Sequence, residues 1–149
     1  MTLDSLRHLI QTHPLIDNHA HNILSHKAAS NYAKYPFEQI TSEAHGPALQ
    51  NAISTLPLLR AANQLADLYG CAPEWTAVKA ARDQWVQRDY NDLVRRCLEG
   101  TQVLLLDDLL SEDDVEPFDW HDQFTVSETK RIVRIETVAE KPEAPSLVV

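Results

Sequence analysis

Cysteine, basic charge and long apolar runs are all scarce in this 149-residue chain. Its two cysteines, Cys71 and Cys97, form no Cys-x-x-Cys pair, which argues against a disulfide scaffold or a structural zinc knuckle. Thirteen Lys and Arg against 22 Asp and Glu leave a net charge of −9. No basic cluster offsets that charge locally, so we expect no nucleic-acid partner and no anionic membrane partner. The longest apolar run, residues 103–106, is too short to span a bilayer.

The remaining composition is typical of a globular protein. The chain is 44% hydrophobic and 23% charged, and its length allows one domain with its own core. Residues 1–13 lack the long apolar core of a signal peptide, so we expect a cytoplasmic location. We predict one domain over residues 1–139, followed by an irregular tail, rich in charge and proline, over residues 140–149.

A His-x-His pair, His19 and His21, stands where a short predicted strand, residues 14–20, ends. Side chains alternate between the two faces of a strand, so both imidazoles point the same way and can reach one divalent metal ion. A catalytic site of this kind needs about three protein ligands and an open position for water. A tripeptide this short also arises by chance, and two hydrogen-bonding histidines at a strand-to-loop junction would give the same pattern.

A long helical excursion is predicted after this strand. It begins with an irregular stretch, residues 22–46, and insertions of that length usually serve a site. A helical stripe then runs up to Gly70, with Pro57 indicating a kink or a restart. Its predicted apolar residues are Leu49, Ile53, Leu56, Leu59, Leu65 and Leu68. A second helical stretch runs to Gly100, with Asp89 as a candidate cap inside it.

Two further strands complete the predicted sheet. Residues 101–106 form an apolar run that suits a strand buried on both faces, and residues 130–136 are interpreted as a third strand with Glu136 at its exit. Because strands alternate with helices, we predict an α/β fold with parallel strands, the N-terminal portion of a (β/α)₈ barrel. Asp107, Asp108 and Glu136 are candidate catalytic residues, because acidic side chains at the carboxyl ends of barrel strands are placed for chemistry. Acidic residues are equally common where a chain simply leaves a strand.

Two other histidines are candidates for substrate binding. His45 lies at the end of the irregular stretch, where an ordinary exposed loop histidine is the alternative interpretation. His121 lies in residues 118–124, the segment densest in polar and aromatic side chains. That segment could line a pocket or simply anchor a loop.

Seven short stretches together resemble one family, the amidohydrolase-related (amidohydrolase 2) proteins, and within it the N-terminal amidohydrolase-like domain of fungal FluG-type proteins. In those proteins a barrel precedes a glutamine-synthetase-like domain. The resemblance covers residues 6–139 and includes the Asp-x-His-x-His signature at residues 17–21. The stretches are residues 15–22, 42–46, 68–71, 97–101, 107–108, 119–122 and 131–136.

The resemblance implies a metal-dependent hydrolase that acts on a C–N or related bond of a small-molecule substrate. It also implies His19 and His21 as ligands of a divalent metal ion, with zinc expected first and manganese or iron as alternatives. The family's other ligands and its late aspartate come from strands beyond the third. We therefore expect a truncated, incomplete barrel that lacks turnover on its own.

Two alternatives remain at this point. The first is a non-catalytic fragment or interaction module, whose uncovered sheet edges would favour self-association. The second is a helical binding protein with an incidental His-x-His pair, which requires residues 103–106 and 132–135 to be helical or disordered.

Overall fold

The computed structural model describes residues 2–42, 44–108 and 113–140. They belong to two compact units, one formed by residues up to 24 together with those from 97 onwards, the other by residues 25–96. The predicted tail lies outside the described residues except for Glu140, which ends a helix. The elements are α1 (Leu3–Thr12), β1 (Leu15–Ala20), α2 (Pro47–Ala52), α3 (Leu56–Tyr69), α4 (Trp75–Cys97), β2 (Thr101–Leu106), β3 (Lys130–Arg131) and α5 (Ile135–Glu140), with 3₁₀ turns at Phe37–Thr41 and Phe118–Phe124.

The first unit is built on a parallel sheet in the order β1-β2-β3. β1 and β2 pair from Leu15 opposite Thr101 to Ala20 opposite Leu106, with two irregular steps between. This arrangement confirms the predicted α/β fold with three parallel strands. It also excludes the helical binding protein, because residues 103–106 lie in a paired strand.

The burial of the sheet follows the strand order. β2 is the central strand, and its Leu104 and Leu106 side chains, which share one face, are buried. Val103 and Leu105 on the other face are only half-buried, so the predicted burial on both faces is complete on one face alone. β1 pairs only with β2 among the described strands, and its Leu15 and Ile16 side chains remain 52% and 63% exposed. Two large apolar side chains are thus exposed on an outer strand of the described sheet.

The third strand is shorter than the sequence predicts. β3 comprises Lys130–Arg131 only, and a helix, not an extended strand, contains Glu136. The cause is the length of the neighbouring strand. β2 ends at Leu106, whose carbonyl oxygen accepts the Ile132 N–H at 2.9 Å, and beyond that point β2 offers no extended partner. The predicted position of Glu136 at a strand exit is therefore wrong.

The second unit is helical, with breaks where the sequence predicts them. Pro57 stands in the first turn of α3, and Gly70 ends that helix with a φ of +67°, a left-handed conformation that glycine adopts without strain. α4 is interrupted at Asp89, whose φ is −162°. Its carboxylate accepts the Asp92 N–H at 2.9 Å, so Asp89 caps the second half as expected.

The apolar face of α3 differs from the predicted one. The buried side chains are Leu58, Ala62 and Ala66, spaced four residues apart, whereas Leu59 and Leu68 of the predicted stripe are exposed. Residues at i, i+4 and i+8 share one face of a helix, and alanine on that face permits close approach of neighbouring backbone. Leucine spacing alone gave the wrong face, because it ignored these alanines.

The irregular stretch of the second unit is tied to α4 by polar contacts. The hydroxyl groups of Ser30 and Tyr32 donate to the carboxylate of Asp83 at 2.6 and 2.7 Å. Arg82 donates to the Ala29 carbonyl oxygen at 2.6 Å. Burial, together with the Asp83 hydrogen bond, raises the pKa of Tyr32 above its ordinary value. These hydrogen bonds attach the irregular stretch to α4. That the stretch contributes to a functional site remains a prediction.

Within the described part of the chain, no helix combines the length and the apolar character that a bilayer crossing requires.

Candidate metal centre

The His-x-His pair and Asp107 meet at one edge of the sheet. β1 and β2 are parallel neighbours, so their carboxyl ends lie side by side. The Asp107 N–H donates to the Ala20 carbonyl oxygen at 2.9 Å and extends the pairing one residue beyond β2. Among the described residues, His19, His21 and Asp107 form a group in which one potential ligand atom of each lies within 4.8 Å of the others.

The distances are close to those of a metal site. The Nε2 atom of His19 lies 3.8 Å from Oδ2 of Asp107, and the ring centroids of His19 and His21 are 5.2 Å apart. Tetrahedral zinc with bonds of about 2.1 Å separates neighbouring ligand atoms by about 3.4 Å. Small rotations of the two imidazoles would therefore bring three ligand atoms to bonding distance of one ion.

The backbone around the pair fixes its geometry. Nδ1 of His21 donates to the Asp107 carbonyl oxygen at 3.1 Å, which leaves the lone pair on Nε2 for a metal ion. The carboxylate of Asp17, first residue of the Asp-x-His-x-His signature, accepts the His19 N–H at 3.2 Å. The strand pairing is irregular between Asp17 and Ala20, and such irregularities re-aim side chains at strand ends.

The three candidate ligands differ in exposure. His19 and His21 face solvent, whereas the Asp107 side chain is only 2% exposed. Two imidazoles and one carboxylate are a donor set that suits a divalent ion such as zinc, and the exposed side would admit water or a substrate as a further ligand. The residues present therefore fit a divalent metal ion.

Arg134 is a member of this site that sequence reasoning missed. Its Nε and Nη2 atoms donate to Oδ2 of Asp107 at 2.8 and 2.6 Å. The hydrogen bond to Asp107 raises the pKa of Arg134 above its ordinary value. Asp107 pairs with the later arginine, Arg134, and Asp108 with the earlier one, Arg131, so the order of these residues along the chain gives no signal for the pairing.

The other two candidate acids lie elsewhere. Asp108 accepts a hydrogen bond from Nη2 of Arg131 at 2.7 Å, and the Arg131 guanidinium lies 4.6 Å from the centre of the Phe118 ring. Glu136 is exposed in the first turn of α5. Of the three predicted catalytic residues, the structure brings only Asp107 into the group with His19 and His21.

His121 is buried rather than presented to a ligand. Its side chain is 0% exposed, and Nδ1 donates to the carbonyl oxygens of Pro117 and Phe118 at 3.1 and 3.0 Å. Nε2 accepts the Ile23 N–H at 3.1 Å, two residues beyond His21. Contact with a substrate would require this ring to be uncovered. The geometry corresponds to the loop-anchoring alternative.

His45 belongs to the second compact unit. It is exposed, and its Nδ1 lies 3.0 Å from Nε2 of Gln39. Its role in substrate binding remains a prediction.

Comparison with known proteins shows that the sequence of this chain is similar to that of a fungal protein. No family model matches the chain, and no solved structure matches it. The chain is 73% identical over 139 residues to Protein fluG of Emericella nidulans, an alignment that covers 93% of this chain and 16% of that protein. The predicted FluG-type relationship is thereby supported over nearly the whole chain, while the chain spans less than a fifth of the length of its relative.

Proposed function

We propose that the edge of the sheet is part of a metal-dependent hydrolase site in which His19, His21 and Asp107 hold one divalent metal ion, zinc first. The observation that carries the proposal is the convergence of two exposed imidazoles on one buried carboxylate. The Asp-x-His-x-His signature supports the assignment to amidohydrolase chemistry on a C–N or related bond, and the similarity to Protein fluG supports the FluG-type relationship.

Each residue of the proposed site would have its own role. A bound divalent ion supplies Lewis acidity, polarising a carbonyl and lowering the pKa of a bound water. His21 is oriented by its hydrogen bond to the Asp107 carbonyl oxygen, and Asp17 holds the backbone of His19. Arg134 holds the Asp107 carboxylate in place through two hydrogen bonds. Orientation of this kind is what second-layer contacts give a metal site.

The other acids near the three ligands have different contacts: Asp108 is bound to Arg131, the Asp17 carboxylate accepts the His19 N–H, and Glu136 lies outside the group. A hydrolase needs a base to take the proton of the attacking water. We therefore expect metal binding by this chain, with hydrolysis of a small-molecule amide substrate requiring a base that the described residues do not place in the group with the ligands.

Zinc binding by the purified full chain tests the proposal. After removal of metal, the chain is titrated with zinc by calorimetry, and stoichiometry is checked by elemental analysis. We expect one zinc ion per chain, and at least about tenfold weaker binding in His19→Ala, His21→Ala and Asp107→Asn, since each removes or weakens one ligand. His8→Ala, on the exposed face of α1, is the matched control and should bind as the parent does.

Two outcomes would reject the metal site. One is a parent chain that takes up no zinc, manganese or iron. The other is uptake that survives the loss of both His19 and His21. Binding lost equally in His8→Ala would indicate nonspecific histidine coordination.

A second candidate function is an interaction module that associates with its own copies through β1. The carrying observation is the exposure of Leu15 and Ile16 on the outer strand of the sheet. Light scattering behind size exclusion should then show a mass that rises with concentration, and Ile16→Lys should lower it, because a charge on an edge strand opposes pairing. A parent that stays monomeric at all concentrations would exclude this function.

A further inference from the structure

Arg134 places a guanidinium group directly beside the candidate metal ligands. Both of its hydrogen bonds, 2.8 Å from Nε and 2.6 Å from Nη2, end on Oδ2 of Asp107. The same oxygen lies 3.8 Å from Nε2 of His19. A metal ion held by His19 and Asp107 would therefore share this oxygen with Arg134.

The charges at the site become unbalanced when a metal ion binds. Without metal, the single negative charge of Asp107 is matched by the single positive charge of Arg134. Neutral imidazoles add nothing, so a divalent ion leaves an excess of two positive charges beside one carboxylate. The ion and the guanidinium would repel each other across the buried carboxylate of Asp107. An anionic group lying between the ion and the guanidinium would relieve this repulsion.

The position of Arg134 suits such a group. Its side chain is 31% exposed, whereas that of Asp107 is 2% exposed, so the guanidinium is reachable from solvent while the aspartate is not. Nε and one N–H of Nη2 are used on Asp107, which leaves the edge formed by Nη1 and Nη2, whose parallel N–H donors match the two oxygens of a carboxylate.

We propose that Arg134 is a carboxylate-binding residue of the metal-loaded site, which assigns the substrate to small molecules that carry a carboxylate next to the bond to be cleaved. The assignment rests on the proposed metal site. Arg131 provides an internal comparison, because it is bound to Asp108 and stacked on Phe118 instead of facing the candidate ligands.

The test uses the zinc-loaded full chain and two probes of equal length, succinate and its uncharged diamide succinamide, titrated by calorimetry. Zinc content is measured before and after each titration. We expect succinate to bind at least about tenfold more tightly than succinamide, the range of a charge-assisted hydrogen bond. Arg134→Gln should abolish that preference, and Arg131→Gln should keep it.

A second variant guards against loss of folding. Arg134→Gln leaves the buried Asp107 without its arginine, so circular dichroism is recorded with and without zinc. Arg134→Lys keeps the charge but loses the planar fork, and we expect succinate affinity between those of the parent and Arg134→Gln.

The outcomes separate the two proposals. A parent that binds no metal overturns the metal site and this inference with it. Zinc binding with equal affinity for succinate and succinamide overturns the inference alone. So does a preference for succinate that persists in both Arg134→Lys and Arg134→Gln, because the metal ion would then hold the carboxylate by itself. A preference lost in Arg134→Gln and kept in Arg131→Gln supports the inference.

Discussion

Replacing His121 with alanine should destabilise the first unit strongly and weaken zinc binding at the same time. The ring is 0% exposed and bridges two parts of the chain, accepting from Ile23 and donating to the carbonyl oxygens of Pro117 and Phe118. The alanine variant leaves the Ile23 N–H and at least one carbonyl oxygen, in part-buried positions, without these partners, at about 1–3 kcal/mol each. A cavity adds to this, so we expect a total loss of about 3–5 kcal/mol.

A loss of this size is a large part of the stability of an ordinary domain, about 5–15 kcal/mol. Urea unfolding followed by circular dichroism measures the loss. His121→Asn is the informative partner variant, because its amide can still donate to the Phe118 carbonyl oxygen but cannot reach Ile23 as Nε2 does. We expect it to lose less than His121→Ala, and His8→Ala to lose nothing measurable.

Zinc affinity gives the second readout. Ile23 lies two residues after His21, so releasing its N–H should loosen the loop that carries the ligand. We expect several-fold weaker zinc binding in His121→Asn even where the variant is fully folded. A His121→Ala chain with unchanged unfolding midpoint and unchanged zinc affinity would refute the bridging role of this ring.

Three further predictions concern the second unit. Burial acts to raise the pKa of Glu38, but the hydrogen bond and charge of Lys79 outweigh it, so the pKa lies below its ordinary value of 4.5. The stability from this pair should be complete above pH 4.5 and fade as the pH falls through the lower folded-state pKa, a dependence that Glu38→Gln should remove from acid unfolding curves. Gly70→Ala should lower the free energy of urea unfolding by about 1 kcal/mol, because alanine is strained at a positive φ. Nothing lies within 4 Å of the added carbon, so a loss several times larger would refute this backbone explanation. Asp89→Ala removes a helix cap and should cost about 1 kcal/mol, while an unchanged unfolding midpoint would show that the Asp92 N–H finds another partner.

The parts of the fold that follow local rules could be predicted from the sequence. Pro57 and Gly70 mark helix ends through backbone restrictions that act within a few residues. The apolar run of β2 predicts a strand inside the sheet, and β2 is the central strand, although only the face of Leu104 and Leu106 is fully buried. The His-x-His pair lies together because strand geometry alone places both rings on one side.

The failures all concern contacts between distant segments. The end of β3 depends on where β2 stops, which the sequence around Glu136 does not encode. The buried face of α3 depends on which side meets other segments of the chain, among them the 3₁₀ turn Phe37–Thr41, and Ala62 and Ala66 carry less apolar signal than the leucines that remain exposed. Arg134 was missed because a surface arginine is the ordinary interpretation of a lone basic residue, and only the pairing of β2 with β3 brings it to Asp107.

The burial of Asp107 links the proposed metal site to the stability of the sheet. A carboxylate at 2% exposure needs a positive partner, and without metal that partner is Arg134, which follows β3. A metal ion held by His19 and His21 would supply part of the positive charge that Asp107 needs. The burial of Asp107 would then depend less on Arg134 and on the pairing of β3. Zinc should therefore stabilise Arg134→Gln more than it stabilises the parent. In the variant, an ion held by the two histidines would replace the positive charge that Asp107 loses with Arg134, whereas the parent already has that charge. Equal zinc-induced shifts in the unfolding midpoints of the two chains would mean that the ion and Arg134 do not share this carboxylate.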